Sequence, residues 1–549
     1  MFCGKCGKEL NPEAVFCPDC GAKIDSQPEI KKEEAKAPVM TKKSKKKPII
    51  FGVIAAVLVV GAVASFSYLK NAAVKLFTTP EQYFAYVVSS NFDNIAENFS
   101  ENIDLSKKSV ADGVAADGVM SVRVGDEFQS LIEGLAGYEA YSYISWIDDI
   151  TLSYKSSFKD NKIDYDMGIN LNGVDLASLK MLADYDTQEM YYALPEYNST
   201  YILVDGDPYD YNDNPTEQIF EMIEALPGKK DTKKFLLKCV KAAAESVDDI
   251  DEGTKKITAE GVSQQVTCLS FEVDDNTVKD LLNNVLREVK NDKEILKMIS
   301  ESSGMDKEEF EGAIQEAIDS VRYMDVGMEP VQVEVYVDTK GEIVGFAISS
   351  YDFEISSYTA TKGNKFGTVA EITADGTRVS LEGSGVQRGD KRSGEYSIKV
   401  ANISVVDIKT EGVNTKKLEE GIFNGSITIA PSEEVQGMLG SAMSSSSQAK
   451  IVSDLSLTIA SKTTSPENLD YIIALNYEDE MCAEIEVKAD TVKTRKVQMP
   501  DDYVDSYQSS EMENWVRSID IYQFTGKLRD ANVPEYFVSL LENEFYSLF

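Results

Sequence analysis

Residues 162–171 read KIDYDMGINL, and Asn172-Gly173 follow them. Ile163, Tyr165, Met167, Ile169 and Leu171 fall on one side of a period of two, and Lys162, Asp164, Asp166 and Asn170 on the other. Alternation of this kind is a half-buried strand, and Asn-Gly behind it supplies the two positive-φ positions of a tight hairpin. Working outward, an antiparallel meander of about four strands is expected from Tyr143 to Val204. Thr79-Pro80-Glu81 before it has the cap, the first-turn proline and the acid of a helix start. Tyr83, Phe84, Val87, Val88 and Phe92 give that helix an apolar face.

Downstream the period changes to 3.6. Val278, Leu281, Leu282, Val285, Leu286 and Val289 form one stripe, and Phe310, Ile314, Ala317, Ile318 and Val321 another, within a helical block from Pro215 to Arg322. Strands near Lys256–Ala259 and Gln264–Val273 interrupt it. Alternation returns at Val331, Val333, Val335 and Val337 and continues through runs at 343–351, 353–360, 369–374, 379–385 and 396–408, with Gly363-Asn364 and Asp375-Gly376 as turn signals. Shorter strands are expected near 423–429, 455–460, 471–477 and 483–487. Helices around Met512–Ile521 and from Pro534 to Phe549 close the chain.

The charge is divided. The 549 residues carry 55 Lys plus Arg, 93 Asp plus Glu and no His, a net of −38. Residues 1–47 hold 11 Lys and 7 acids, for +4, residues 48–69 hold no charge, and the remaining 480 carry −42. Without imidazole, Ser-His-Asp and Cys-His catalysis and every His-containing metal site are excluded. An acidic body is poorly suited to nucleic acid, whose phosphates are met by Lys and Arg, so none is expected as a partner.

The uncharged run Ile49–Tyr68, IIFGVIAAVLVVGAVASFSY, is long enough at 1.5 Å per residue to cross roughly 30 Å of hydrocarbon. Pro48 opens it, and Lys42, Lys43, Lys45, Lys46 and Lys47 crowd its amino side. By the positive-inside rule these place the N-terminus in the cytoplasm and the residues after about Lys70 outside. The expectation is a single-pass cell-membrane protein with an extracellular C-terminal domain. A buried core helix and a leader cleaved after Ala62-Val63-Ala64 are the competing readings.

Cys3-Gly4-Lys5-Cys6 and Cys17-Pro18-Asp19-Cys20 make two CxxC turns ten residues apart. Four soft thiolates at this spacing match a closed, tetrahedral structural Zn²⁺ site with Cys3, Cys6, Cys17 and Cys20 as ligands. A redox pair, a disulfide framework and an iron–sulfur centre compete. A thioredoxin-like pair needs a βαβ context that is lacking, and disulfides do not persist on the cytoplasmic side. About 25 residues bury little core, so metal binding supplies the folding free energy.

This stretch, MFCGKCGKELNPEAVFCPDCG, resembles the short zinc ribbon that opens many bacterial envelope proteins. Those are built as ribbon, Lys-rich linker, one membrane helix and variable outer domain. The resemblance covers about 70 residues and implies the architecture. It leads to a multidomain chain, with a small zinc ribbon, a single transmembrane helix, and an α+β ectodomain with long antiparallel sheets and segregated helices. The divisions are 1–24 zinc ribbon, 25–47 disordered Lys-rich linker, 48–69 transmembrane helix, 70–325 and 326–500 the two halves of the ectodomain, and 501–549 C-terminal helices.

The order helix, meander, helices, meander, with MYYALPEYNSTYILVD and VQVEVYVDTKGEIVGFAIS, is similar to the half-barrel lipoprotein carriers of the LolA and LppX type. That likeness implies an apolar groove for acyl chains and lipid or lipoprotein handling. Catalytic motifs are weak by comparison. Ser156-Ser157-Phe158-Lys159 lacks the companions of a serine–lysine enzyme, and Gly383-Ser384-Gly385 with Gly389 has the wrong spacing for a dinucleotide fingerprint. The acids Asp205, Asp207, Asp210, Asn212 and Asp213 fail the EF-hand pattern. Pairs such as Asp148-Asp149 and Asp248-Asp249 are what any acidic chain offers. Cys239, Cys268 and Cys482 read as buried small residues, with a Cys239–Cys268 disulfide as the alternative.

No catalytic residue and no cofactor besides structural Zn²⁺ is therefore expected. The function read from the sequence is a non-enzymatic, membrane-anchored envelope protein whose ectodomain binds lipid, wall or a protein. The alternatives are a transmembrane sensor whose ribbon docks a cytosolic partner and, more remotely, a carboxylate-based hydrolase.

Overall fold

The structure is a computed structural model that describes residues 75–76, 78–125, 127–136, 144–205, 223–303, 306–442 and 453–547. The chain divides into two units, Met1–Phe51 and Gly52–Phe549, and all the described residues belong to the second. The expected ribbon, linker and membrane helix at 1–24, 25–47 and 48–69 lie outside them.

Helix α1 (Pro80–Asp112) begins where the sequence says it should. Thr79 accepts the Gln82 N–H on its side chain while Gln82 Oε1 accepts the Thr79 N–H, a reciprocal capping box. It ends at Gly113, whose φ is +79°, and strand β1 (Val114–Val124) leaves directly. After α2 (Glu127–Ala136) come β2 (Asp149–Lys159), β3 (Lys162–Leu171), β4 (Val174–Asp184), β5 (Glu189–Leu194) and β6 (Asn198–Asp205). Asn172 and Gly173 turn β3 into β4 at φ +50° and +79°, the left-handed pair that a two-residue hairpin requires.

The middle of the chain is α3 (Lys229–Ala244), β7 (Asp251–Ala259), β8 (Val262–Val273), α4 (Asp275–Asn291), α5 (Lys293–Ser303) and α6 (Lys307–Val321). Then come β9 (Val331–Val337), β10 (Ile343–Ser349), β11 (Phe353–Lys362), β12 (Lys365–Ala374), β13 (Thr377–Arg388), β14 (Lys391–Val400) and β15 (Ile403–Asn414). The last third holds α7 (Thr415–Glu419), β16 (Gly425–Pro431), α8 (Glu433–Ala442), β17 (Leu455–Ser461), β18 (Asn468–Tyr477), β19 (Glu480–Val492), β20 (Tyr503–Asp505), α9 (Ser509–Arg517), α10 (Ile521–Asp530) and α11 (Glu535–Ser547).

All 20 strands belong to one sheet. Antiparallel neighbours run from β7 through β8 and onward in sequence order to β19. There β19 pairs with β1, and the sheet continues in order from β1 to β6. A parallel β20 closes the far edge on β6.

This corrects the expected fold class. The separate antiparallel sheets are one mixed sheet, because β1, arriving from α1, inserts beside β19 and joins the two meanders through a pairing some 360 residues apart. Nor is any described helix long and apolar enough to cross a membrane. The longest, α1, has the length but carries Asp93, Glu97, Glu101, Asp104, Lys107 and Lys108 along its body.

Helices cover the same face of this sheet at two places. At the β8–β10 end, Tyr83, Phe84 and Val87 of α1 pack on Leu269, Phe271, Val333, Val335 and Ile348, with the Phe84 and Phe271 rings 5.0 Å apart. At the β2–β4 end, Leu528 of α10, Ala531 and Val533 of the link after it and Val538 of α11 close over Leu171 and Leu176, with Ile150 and Ile169 beside them. On the opposite face β7 crosses β12 so closely that a Cβ on Gly367 would lie 2.1 Å from the Ala259 carbonyl oxygen. Residues 493–499 cross behind β4–β6, placing Val497 and Met499 on Leu182, Tyr191 and Leu203. There the Ser157 hydroxyl, buried, accepts the Arg495 N–H at 3.0 Å.

Candidate functional site

Residues paired directly across antiparallel strands point to the same side, so the registers trace what each face presents. One row runs Phe271, Val333, Ile348, Ile355, Ile372, Val379, Val400, Ile403 across β8 to β15. A second runs Ile427, Ile459, Ile473, Ile485, Val122, Ile150, Leu171 across β16 to β19 and on through β1 to β3. Ile408, Ile429, Leu457 and Leu475 lie alongside. The opposite face of the same strands carries Glu371, Ser380, Glu382, Lys399, Glu484 and Arg123, linked as Arg378–Glu371, Arg378–Glu382, Lys399–Glu382 and Arg123–Glu484 ion pairs.

Each row passes from core into solvent. Ile348 under α1 is 2% exposed, whereas Ile372, two strands on, is 52% exposed. At the other end Ile473 is 38% exposed and Leu171, under α10, is 7%. Between the two hydrophobic cores at its ends the apolar face is half-exposed to exposed among the described residues, except at Phe366, which is buried, and where Leu131 of α2 packs on Tyr477, Cys482 and Leu475. Strands lie about 4.8 Å apart, so the bare part from β12 to β1 is roughly 40 Å wide. Soluble monomers seldom leave more than a few hundred Å² of contiguous apolar surface exposed, and larger patches mark binding sites.

Reactive chemistry is scarce around it. Asp148 precedes β2 and Asp149 starts it, and both backbone N–H groups donate to Asn172 Oδ1, whereas Asp248 and Asp249 sit exposed in the turn before β7. Ser156 donates to the Ala116 carbonyl and Ser157 to that of Arg495, so neither faces Lys159 as a nucleophile. Lys255, Glu334 and Tyr336 form a tight cluster: burial alone lowers an ammonium pKa, but the Glu334 carboxylate and the Tyr336 hydroxyl hold Lys255 above its usual range. That cluster satisfies itself. Asp205 ends β6 and the rest of the acidic loop to Asp213 lies outside the described residues. Among the described residues no group of three or more Cys, Asp or Glu is placed to hold a metal.

The three thiols of the body are all free. Cys268 and Cys482 are buried in the sheet. Burial, with Glu288 and Asp292 nearby, pushes the Cys239 thiol up to about 11. Cys3, Cys6, Cys17 and Cys20 lie outside the described residues.

Comparison with known families gives one match: residues 2–24 fit the zinc-ribbon domain. No curated protein and no solved structure matches the chain. The N-terminal segment is thus of zinc-ribbon type, and the body is read from its own geometry.

Two features of the site escaped the sequence reading. The short strands at 423–487 were placed, but the alternation of Ile427, Ile429, Leu457, Ile459, Ile473 and Ile485 was not followed across them. Strand β1, whose Val122 joins Ile485 of β19 to Ile150 of β2 within the second row, was missed altogether. The detectable signal was the same period of two that marks β3.

Proposed function

We propose that this protein is a non-enzymatic envelope protein whose acidic body holds a long-chain lipid on the bare apolar face of its sheet. One observation supports this most: a single face runs from one hydrophobic core, through solvent-exposed rows, into a second. A segment that merely completed the fold would need to cover that whole interval. An acyl chain needs only part of it, since a monolayer's hydrocarbon depth is about 15 Å against roughly 40 Å of bare sheet. Burying such a chain yields about 25 cal/mol per Å² of apolar surface removed from water on both partners.

The ribbon is a separate structural element in this reading. Cys3, Cys6, Cys17 and Cys20 hold one Zn²⁺ through four thiolates, and because all four positions are protein ligands the ion supplies folding rather than chemistry. Native mass spectrometry of the full chain, purified without added detergent, tests the lipid reading. Co-purifying lipid, lost when Ile473 and Ile485 are both changed to Glu, is expected. Repeatedly clean spectra, whether of monomer or of a dimer that covers the face with a second copy, overturn it.

A further inference from the structure

The apolar face is not apolar to its edge. Toward the β13–β14 hairpin it presents Gly383, Gly385 and Gln387 on β13 and Tyr396, Gly394 and Arg392 on β14. The glycines make room for rings lying on the sheet. A Cβ on Gly383 would lie 2.3 Å from Tyr396 Cδ1, and one on Gly385 would lie 2.8 Å from Phe366 Cζ. Over the Phe366 ring, with its Cζ 4.5 Å from the centroid, sits the guanidinium of Arg392.

That guanidinium is short of partners. Nη2 donates to Gln387 Oε1 at 3.0 Å, Nε is buried with no acceptor, and no carboxylate pairs with it among the described residues. Arg123, Arg378, Arg517 and Arg529 have carboxylates; Arg392 differs from them in having a buried Nε with no acceptor. Desolvation pulls the Arg392 pKa below its usual range, so burial acts against the charge here with only the Tyr396 hydroxyl group opposing it. A half-buried cation is normally paired or hydrogen-bonded throughout, and the planar fork of Arg suits a carboxylate or a phosphate.

We propose that Arg392 receives the anionic head of an acyl amphiphile whose chain lies along the adjoining apolar rows. The proposal rests on the lipid reading above and adds the sign and place of the headgroup. On β14 the face runs from Arg392 past Tyr396 to Ile398 and Val400. Six residues of strand separate Arg392 from Ile398, about 20 Å, which is the reach of one chain. Tyr396, half-buried, gives the first carbons an aromatic surface, Phe366 lies buried beneath the guanidinium, and Gln387 fixes one edge of the fork so that Nη1 remains for the head.

Four probes test it on the full chain by calorimetric titration: palmitate, hexadecyl phosphate, hexadecanol and acetate. Palmitate or hexadecyl phosphate is expected to bind at least tenfold more tightly than hexadecanol, the preferred one identifying the head as carboxylate or phosphate, and acetate not at all. Arg392→Gln should remove the tenfold preference while leaving hexadecanol binding unchanged, which also shows that the variant is folded. Arg392→Lys should restore part of it. Equal binding of charged and neutral chains, or an Arg392→Gln variant that keeps the preference, overturns the headgroup site and leaves the apolar face standing. Binding of acetate as tight as palmitate overturns it too, and failure of all chains to bind overturns both readings.

Discussion

Ile355 and Ile372 stand directly opposite each other on β11 and β12, and across that one pair the sheet's apolar face leaves the α1 core and enters solvent. The chemistry on the two sides of this boundary is the same, so the difference in exposure comes from which strands the helices reach. Two substitutions should separate core from bare face. Ile348→Ala removes a side chain held between α1 and the sheet and should cost about 2–4 kcal/mol. Ile372→Ser changes a residue that folding leaves in water and should shift stability by no more than about 0.5 kcal/mol. Urea unfolding of the two variants checks both, and a large loss for Ile372→Ser would mean that something covers the bare face.

A change in the middle of the second row should spare the fold and remove its ligand. Ile473 pairs with Ile485 on β18 and β19, both more than a third exposed. Two carboxylates there would face water in the free protein, at little cost beyond local repulsion, but would have to be desolvated beneath an acyl chain. The expected result for Ile473→Glu/Ile485→Glu is an unchanged circular-dichroism spectrum with fluorescent fatty-acid binding weakened at least tenfold.

The seven cysteines should titrate in two classes. Cys268 and Cys482 are buried, and Cys239 has its thiol held at about 11, so at pH 8 none of the three is an accessible thiolate. On the zinc reading proposed above, the metal protects the four ribbon thiols instead. A thiol reagent should therefore find almost nothing in the native chain, four groups after a chelator has withdrawn one equivalent of Zn²⁺, and the last three only in denaturant. Release of no zinc, or reaction of all seven thiols with chelator alone, contradicts this assignment.

Much of the local structure was legible and the decisive long-range step was not. Thr79-Pro80 announced α1, Asn172-Gly173 and Asp375-Gly376 announced hairpins, and the stripe from Val278 to Val289 announced α4, because capping, left-handed turns and amphipathic period are decided by neighbours in sequence. The end of α1 was not visible: its second half, from Asn94 to Asp112, is charged, and Glu97 and Glu101 gain their place from the lysines of α3, Lys107 from the Glu224 and Leu226 carbonyls. Nor could β1 be placed beside β19, since periodicity carries no information about a partner some 360 residues away. That pairing turns two meanders into one sheet, and without it the second apolar row could not be followed from Ile427 to Leu171. Gly383 and Gly385 show the same limit: with Gly389 they resemble, as letters, a loose nucleotide fingerprint, and only the registers reveal that they clear space for Tyr396 and Phe366.

The contact between α1 and α3 should leave a mark on acid stability. Lys229 and Lys233 donate to the two oxygens of Glu97, at 2.8 Å each, and this pair of bonds, Lys229 first, lowers the Glu97 pKa from 4.5 to about 2. A carboxyl whose folded pKa lies below its unfolded value stabilises the fold above the unfolded pKa, and the contribution disappears as pH falls through the folded one. The Glu97→Gln variant lacks that term. Its stability should therefore run parallel to the parent's above about pH 5 and converge on it between pH 4.5 and 2. The pair is largely exposed, so the constant offset should be no more than about 1 kcal/mol and should shrink in 0.5 M salt. The parent's own curve is a poor readout, because protonating other carboxylates of a −42 body also relieves self-repulsion over this range. The difference between the two curves cancels that background, and a difference that stays constant down to pH 2 would show that Glu97 is not held by the two lysines.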